Sequence, residues 1–133
     1  MAKIIDITTH TDYRGNLSKI FTKKLLDKLN FGLAEESYIV TFNKKNIIRG
    51  SHYHNHTNEI FFVMLGECRF DVYENNQIRS FTLNEDSSSV IFIEKSIPHQ
   101  IVSISRKAIV IAISSKQYDP QNDDTYNFIF QNH

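Results

Sequence analysis

The chain has 133 residues, with 15 Lys and Arg balanced by 15 Asp and Glu for a net charge of zero. That length suits one domain with one core, residues 1–133. The lack of a basic run leaves nucleic-acid binding unsupported, and no stretch approaches the roughly 20 apolar residues of a membrane span. Residues 1–6 are too polar and interrupted for a signal peptide. The single cysteine, Cys68, excludes an internal disulfide and fits a cytoplasmic location.

In chain order, strands are expected at residues 4–8 and 17–22, around a turn at Asp12-Tyr13-Arg14-Gly15. Residues 23–33 space Leu25, Leu26, Leu29 and Phe31 between Lys and Asp, which predicts one short helix. Further strands are expected at 37–43, 47–54, 59–65, 67–74, 77–83, 89–93, 99–103 and 108–114. Asn75-Asn76 suits a tight hairpin because Asn tolerates positive φ, and Gly66 fits a left-handed position or a close backbone approach. Cys68 falls within a strand, where a buried, inert thiol is expected. From Tyr118 the tail should be mostly irregular, although Tyr126, Phe128 and Phe130 alternate and its end is expected to pack back as a strand. Many short strands with one helix predict an all-β sandwich or barrel.

The densest chemistry lies in Arg49-Gly50-Ser51-His52-Tyr53-His54, followed by Glu59 and Gly66, and later by Pro98-His99. Two histidines one residue apart on a strand share a face. If the strands lie side by side, His52, His54, Glu59 and His99 converge on one hollow. Three imidazoles and a carboxylate suit one divalent metal, Zn, Ni, Mn or Fe. The same groups suit proton transfer without any cofactor, since imidazole titrates near neutral pH. A ring whose lone pair is given to a metal cannot also act as base, so the two uses of His52 are alternatives. His56 reads as a solvated loop histidine, and Arg69, Arg79 and Arg106 as surface charges.

His52-x-His54, Glu59 and Gly66 resemble the first motif of the cupin superfamily, and Pro98-His99 resembles a shortened second motif. The resemblance implies a double-stranded β-helix, the jelly-roll barrel. Asp12-Tyr13-Arg14-Gly15-Asn16-Leu17 and Ile48-Arg49-Gly50-Ser51-His52-Tyr53 resemble the nucleotide-sugar branch. That branch includes dTDP-4-dehydrorhamnose 3,5-epimerases and dTDP-sugar 3,4-ketoisomerases. Tyr118-Asp119-Pro120 and Asp124-Thr125-Tyr126 are similar to the cupin domain of capsular UDP-sugar reductase-epimerases. The likeness runs from Asp12 to Tyr126. The sequence departs from it in carrying His54 where the epimerases have Gln, Glu59 near the place of a ketoisomerase Gln, and no tyrosine in 104–114.

The resemblance implies an epimerase or ketoisomerase of a dTDP- or UDP-linked 4-keto-6-deoxy sugar, in deoxysugar or surface-polysaccharide synthesis. It places the catalytic base at His52, with His54 on the same cavity, and the diphosphate at Arg14 and Arg49. For the acid, Tyr38 resembles the tyrosine near the ketoisomerase site, whereas Tyr53 should point away from the histidines. A metal-dependent cupin oxygenase and a non-catalytic sugar-binding cupin are the alternatives. A homodimer is expected, with residues 4–7 as a strand for exchange between subunits.

Overall fold

Apolar residues alternate along 67–74 and run continuously through 60–65, 90–93 and 108–113, and the chain wraps their inward faces around one core. The computed structural model describes residues 1–133. Two five-stranded antiparallel sheets face each other, as expected for a jelly-roll barrel. The first, in spatial order, joins β1 (Ala2–Asp6), β9 (Ser89–Ile93), β6 (Glu59–Leu65), β11 (Ala108–Ser114) and β4 (Glu36–Phe42). The second joins β12 (Tyr126–Asn127), β5 (Ile48–Tyr53), β10 (His99–Ser103), β7 (Glu67–Glu74) and β8 (Gln77–Asn84). Phe61, Val63, Ile91 and Val110 from one sheet pack with Cys68, Phe70, Val72 and Ile101 from the other. No helix is long and apolar enough to cross a membrane.

The inward faces change character at one end of the barrel. On β11 they run Ala108, Val110, Ala112 and then Ser114; on β6, Val63 and Phe61 give way to Glu59; on β10, Ile101 gives way to His99. Ser114 pairs with both Glu59 and Glu36, Ala112 lies opposite Tyr38, and His99 lies opposite His52. Polar inward residues from five strands therefore meet at one mouth, while the other end is filled with hydrocarbon.

Several elements differ from the sequence expectation. The helix α1 covers only Lys23–Lys28, capped by the Thr22 side chain. Left-handed Asn30 and Gly32 end it early and turn Phe31 into a second cluster with Ile60, Phe62, Val90 and Phe92, outside the barrel. β2 (Thr8–Asp12) was not expected, and β3 occupies Gly15–Lys19 rather than 17–22. The two form a separate hairpin that pairs with no other strand. The tail does return as a strand, but only at the two residues of β12, flanked by short 3-10 turns at Pro120–Asn122 and Phe130–Asn132. Asn75 and Asn76 both adopt positive φ in the β7–β8 hairpin, as expected.

Candidate active site

His52, His54, Glu59 and His99 do come together. One ligand atom from each lies within 4.8 Å of all the others. The His52 ring is 4.7 Å from His54 and 5.0 Å from His99, centroid to centroid. Their hollow has a volume of about 670 Å³ and is walled by Tyr38, Ser114 and the tail between Lys116 and Tyr126. That volume is in the range of small-molecule sites.

A β-bulge aims the first histidine. β10 pairs His99 with His52 but Gln100 with Gly50, which leaves Ser51 unpaired. Gly50 and Ser51 both have positive φ, and Ser51 Oγ donates outward to Gln100 Oε1. A strict two-residue alternation would put Arg49 and His52 on opposite faces. The extra residue instead places both on the inward side. Tyr53 points away and stacks on Tyr126, as expected.

Two imidazoles are fixed by main-chain carbonyls. His54 Nδ1 lies 3.0 Å from the Asp124 carbonyl, and His99 Nδ1 lies 2.9 Å from the Ile97 carbonyl. A carbonyl only accepts, so each Nδ1 carries the proton and donates it. Both Nε2 atoms then face Glu59 Oε1, at 3.1 and 3.2 Å. The approach is close but poorly aligned: Glu59 Oε1 and His99 Nε2 have no hydrogen-bond partner. Two lone pairs directed at a carboxylate call for a proton or a cation between them. The donor set and the orphaned atoms therefore fit a divalent metal as well as a proton shared with the carboxylate.

Glu59 is 3% exposed. Burial opposes its charge, but the facing His54 and His99 outweigh that and hold its pKa well below the usual carboxylate range. Its other oxygen accepts from Tyr38 Oη at 2.7 Å and from Ser114 Oγ at 3.3 Å. Burial, and then the Glu59 charge, raise the Tyr38 pKa, so the phenol keeps its proton. Burial disfavours a charged His54, but Glu59 and the Asp124 carbonyl outweigh it and raise its pKa. His52 is the contrasting case. Burial, reinforced by His99 and His54, brings its pKa from 6.5 down to about 4. Its ring packs on the other two and lines the hollow, where burial favours the neutral imidazole.

The remaining residues are placed as follows. Arg14 sits in the β2–β3 turn, where its guanidinium binds Asp12. Arg49 lies over the Phe42 ring at the opposite end of the barrel. Neither lines the hollow. His56 is exposed on the rim. Arg69 and Arg79 are paired with Asp71 and Glu74. Cys68 is fully buried, which pushes its thiol up to about 11 and keeps it unreactive. Sequence reasoning missed the wall formed by residues 116–126. Its available signals were the polar run from Asp119 to Thr125 and the likeness carried by Tyr118-Asp119-Pro120 and Asp124-Thr125-Tyr126.

A family model described as "FdtA: WxcM-like, C-terminal" matches residues 1–131. No curated protein matches the chain. Among solved structures, a dTDP-4-dehydrorhamnose 3,5-epimerase from Bacillus anthracis, bound to TDP and PPi, superposes with a TM-score of 0.84 at 18% identity. The match covers 97% of this chain and 79% of that one. The WlaRB TDP-quinovose 3,4-ketoisomerase from Campylobacter jejuni gives 0.81 at 20% identity, over 95% of this chain and 92% of that one. A 3,4-ketoisomerase from Helicobacter canadensis gives 0.79 at 22%, over 93% and 88%. At these identities the likeness fixes the fold, the cupin double-stranded β-helix.

Proposed function

The chain belongs to the WxcM-like, C-terminal family, and from that premise we propose that it is an isomerase of a nucleotide-linked 4-keto-6-deoxy sugar. The single observation that carries the reading is the placement of His52, a half-buried imidazole packed on His54 and His99 and open to a sugar-sized hollow. A C4 ketone acidifies its neighbouring C–H bonds. His52 removes one such proton, which leaves an enolate. Tyr38, on the same wall, is the proposed acid: it holds its proton beside Glu59 and returns one to carbon. Glu59 stays ionised and keeps His54 and His99 facing inward. The similar folds of enzymes named as dTDP-sugar epimerases and TDP-sugar 3,4-ketoisomerases support this class. By the same reading the nucleotide is dTDP or UDP, the product enters deoxysugar or surface-polysaccharide synthesis, and the protein works in the cytoplasm.

A homodimer is part of the proposal. The β2–β3 hairpin is a two-stranded ribbon with Tyr13 and Leu17 exposed, and such ribbons are marginal alone. Docked on a second copy, it would carry Arg14 toward that copy's substrate. Arg14 and Arg49 are the proposed diphosphate ligands.

The orphaned Glu59 Oε1 and His99 Nε2 favour a second reading. In it His52, His54, Glu59 and His99 hold one divalent metal. When bound, the metal would polarise the ketone as a Lewis acid. His52 would then be a ligand and not the base. Elemental analysis of the purified protein, and of Glu59→Ala, separates the two: one metal per chain that disappears with Glu59 supports this reading.

The test of function is incubation with dTDP- and UDP-4-keto-6-deoxyglucose in D2O, followed by NMR. Deuterium on a carbon next to C4, together with a shifted ketone or an inverted centre, is the expected result. No exchange with either sugar, accompanied by oxygen uptake in the presence of Fe(II), would favour a cupin oxygenase. Binding without exchange would favour a sugar-binding module.

A further inference from the structure

We infer that Asp124 is a positioning residue that locks the tautomer of His54 from the C-terminal strap. The inference rests on the proposed isomerase only for its rate prediction; the lock itself is geometry.

The strap runs from Lys116 to β12 and walls the hollow without being a strand itself. It meets the loop after β5 chiefly through Asp124, with Thr125 Oγ1 at 3.5 Å from His54 Nδ1 beside it. Asp124 Oδ1 accepts from the Asn55 N–H at 2.9 Å. Asp124 Oδ2 accepts from the His56 N–H at 2.8 Å and from Thr57 Oγ1 at 3.1 Å. The carbonyl of the same residue takes the His54 Nδ1 proton at 3.0 Å. Side chain and main chain thus act together. The carboxylate clamps residues 55–57 to the strap, and the clamp seats the carbonyl on the imidazole. The His54 main chain is held from the other side, where its carbonyl accepts from the Ser96 N–H. With Nδ1 seated on the Asp124 carbonyl, the planar ring turns Nε2 toward Glu59 Oε1. The strap therefore sets the ring that sets the buried carboxylate, which in turn holds Tyr38. A small displacement of a supporting group costs catalysis far more than it costs binding.

The test reads the ring directly. In ¹⁵N-histidine protein, long-range ¹H–¹⁵N spectra report which nitrogen of His54 carries the proton. Wild type, taken to a pH at which the ring is neutral, should show the proton on Nδ1. Asp124→Ala should show both tautomers in exchange, with His99 unaffected. Asp124→Asn keeps one acceptor oxygen and should retain most of the Nδ1 form. With a 4-keto-6-deoxy sugar, Asp124→Ala should lose about 10²-fold in kcat, with KM changed by less than about threefold, and Asp124→Asn should recover part of it. If Asp124→Ala does not fold, the Asp124→Asn ring spectrum decides. A His54 ring fixed on Nδ1 in every folded variant overturns the inference, as does a wild-type ring protonated only on Nε2. A lock that behaves as stated in a protein that exchanges no keto-sugar hydrogen would uphold the inference and defeat the isomerase reading instead.

Discussion

Acidification tests the assignment of His52 most sharply, because its predicted response runs against that of an ordinary histidine. Its pKa falls from 6.5 to about 4, through burial first and then through the neighbouring His99 and His54. At pH 5.5 about 97% of such rings remain neutral, against about 9% for an unperturbed one. The kcat/KM for exchange of the substrate's α-hydrogen should therefore hold its His52-dependent level to near pH 5, roughly tenfold above the unperturbed expectation. The same shift has a sign for stability. Between pH 6.5 and about 4 the unfolded chain binds a proton at His52 that the folded chain refuses, so this group costs stability as pH falls through that window. At full weight the cost is about 3 kcal/mol, and the ring's partial access to water lowers it to about 1–2 kcal/mol. The assay is urea unfolding of wild type and His52→Asn at pH 7.5 and 4.5, alongside NMR titration of the His52 ring. Wild type should lose about 1–2 kcal/mol more than the variant over that interval. A His52 ring that titrates near 6.5, with equal losses in both proteins, would refute the reasoning.

Tyr38→Phe removes a 2.7 Å hydrogen bond to the buried Glu59 carboxylate and should cost about 1.5–3 kcal/mol in denaturant unfolding. If Tyr38 is the acid, the variant should keep deuterium wash-in at the base's carbon while product formation drops; loss of wash-in alone would remove Tyr38 from that role. Gly66→Ala should cost at least about 2 kcal/mol by thermal or chemical melting. Its φ is +76°, and a Cβ would lie 2.1 Å from the Lys107 carbonyl. A melting curve like that of wild type would show that the turn relaxes. Arg14→Ala should leave the melting temperature of the isolated chain unchanged, since its ion pair with Asp12 is solvent-exposed and weak. The variant should weaken nucleotide binding measured by calorimetry, and unchanged binding would release Arg14 from the diphosphate.

Much of the barrel was legible because its central strands are short, largely apolar runs bounded by turn residues. β6, β7, β9, β10 and β11 match their expected ranges for that reason. The two-residue side-chain repeat of a strand placed His52 and His54 on one face. What the sequence hid is what periodicity does not encode. β2, Thr-Thr-His-Thr-Asp, has no apolar face, so nothing marked it as a strand. The helix stopped at Lys28 because left-handed Asn30 and Gly32 turn Phe31 onto Ile60 and Phe62. The bulge at Ser51 shifts the phase of β5 by one residue, and a one-residue insertion is silent in an alternating pattern. The hydrogen bonds from Tyr38 to Glu59 and from His54 to Asp124 span 21 and 70 residues, and no local rule reaches that far.

The most direct measurement is deuterium incorporation from D2O into dTDP-4-keto-6-deoxyglucose by wild type and by His52→Ala, with folding of the variant checked by circular dichroism. The account predicts incorporation next to the ketone in wild type and a loss of about 10²–10⁴-fold in the variant. Undiminished incorporation by a folded His52→Ala protein would contradict it.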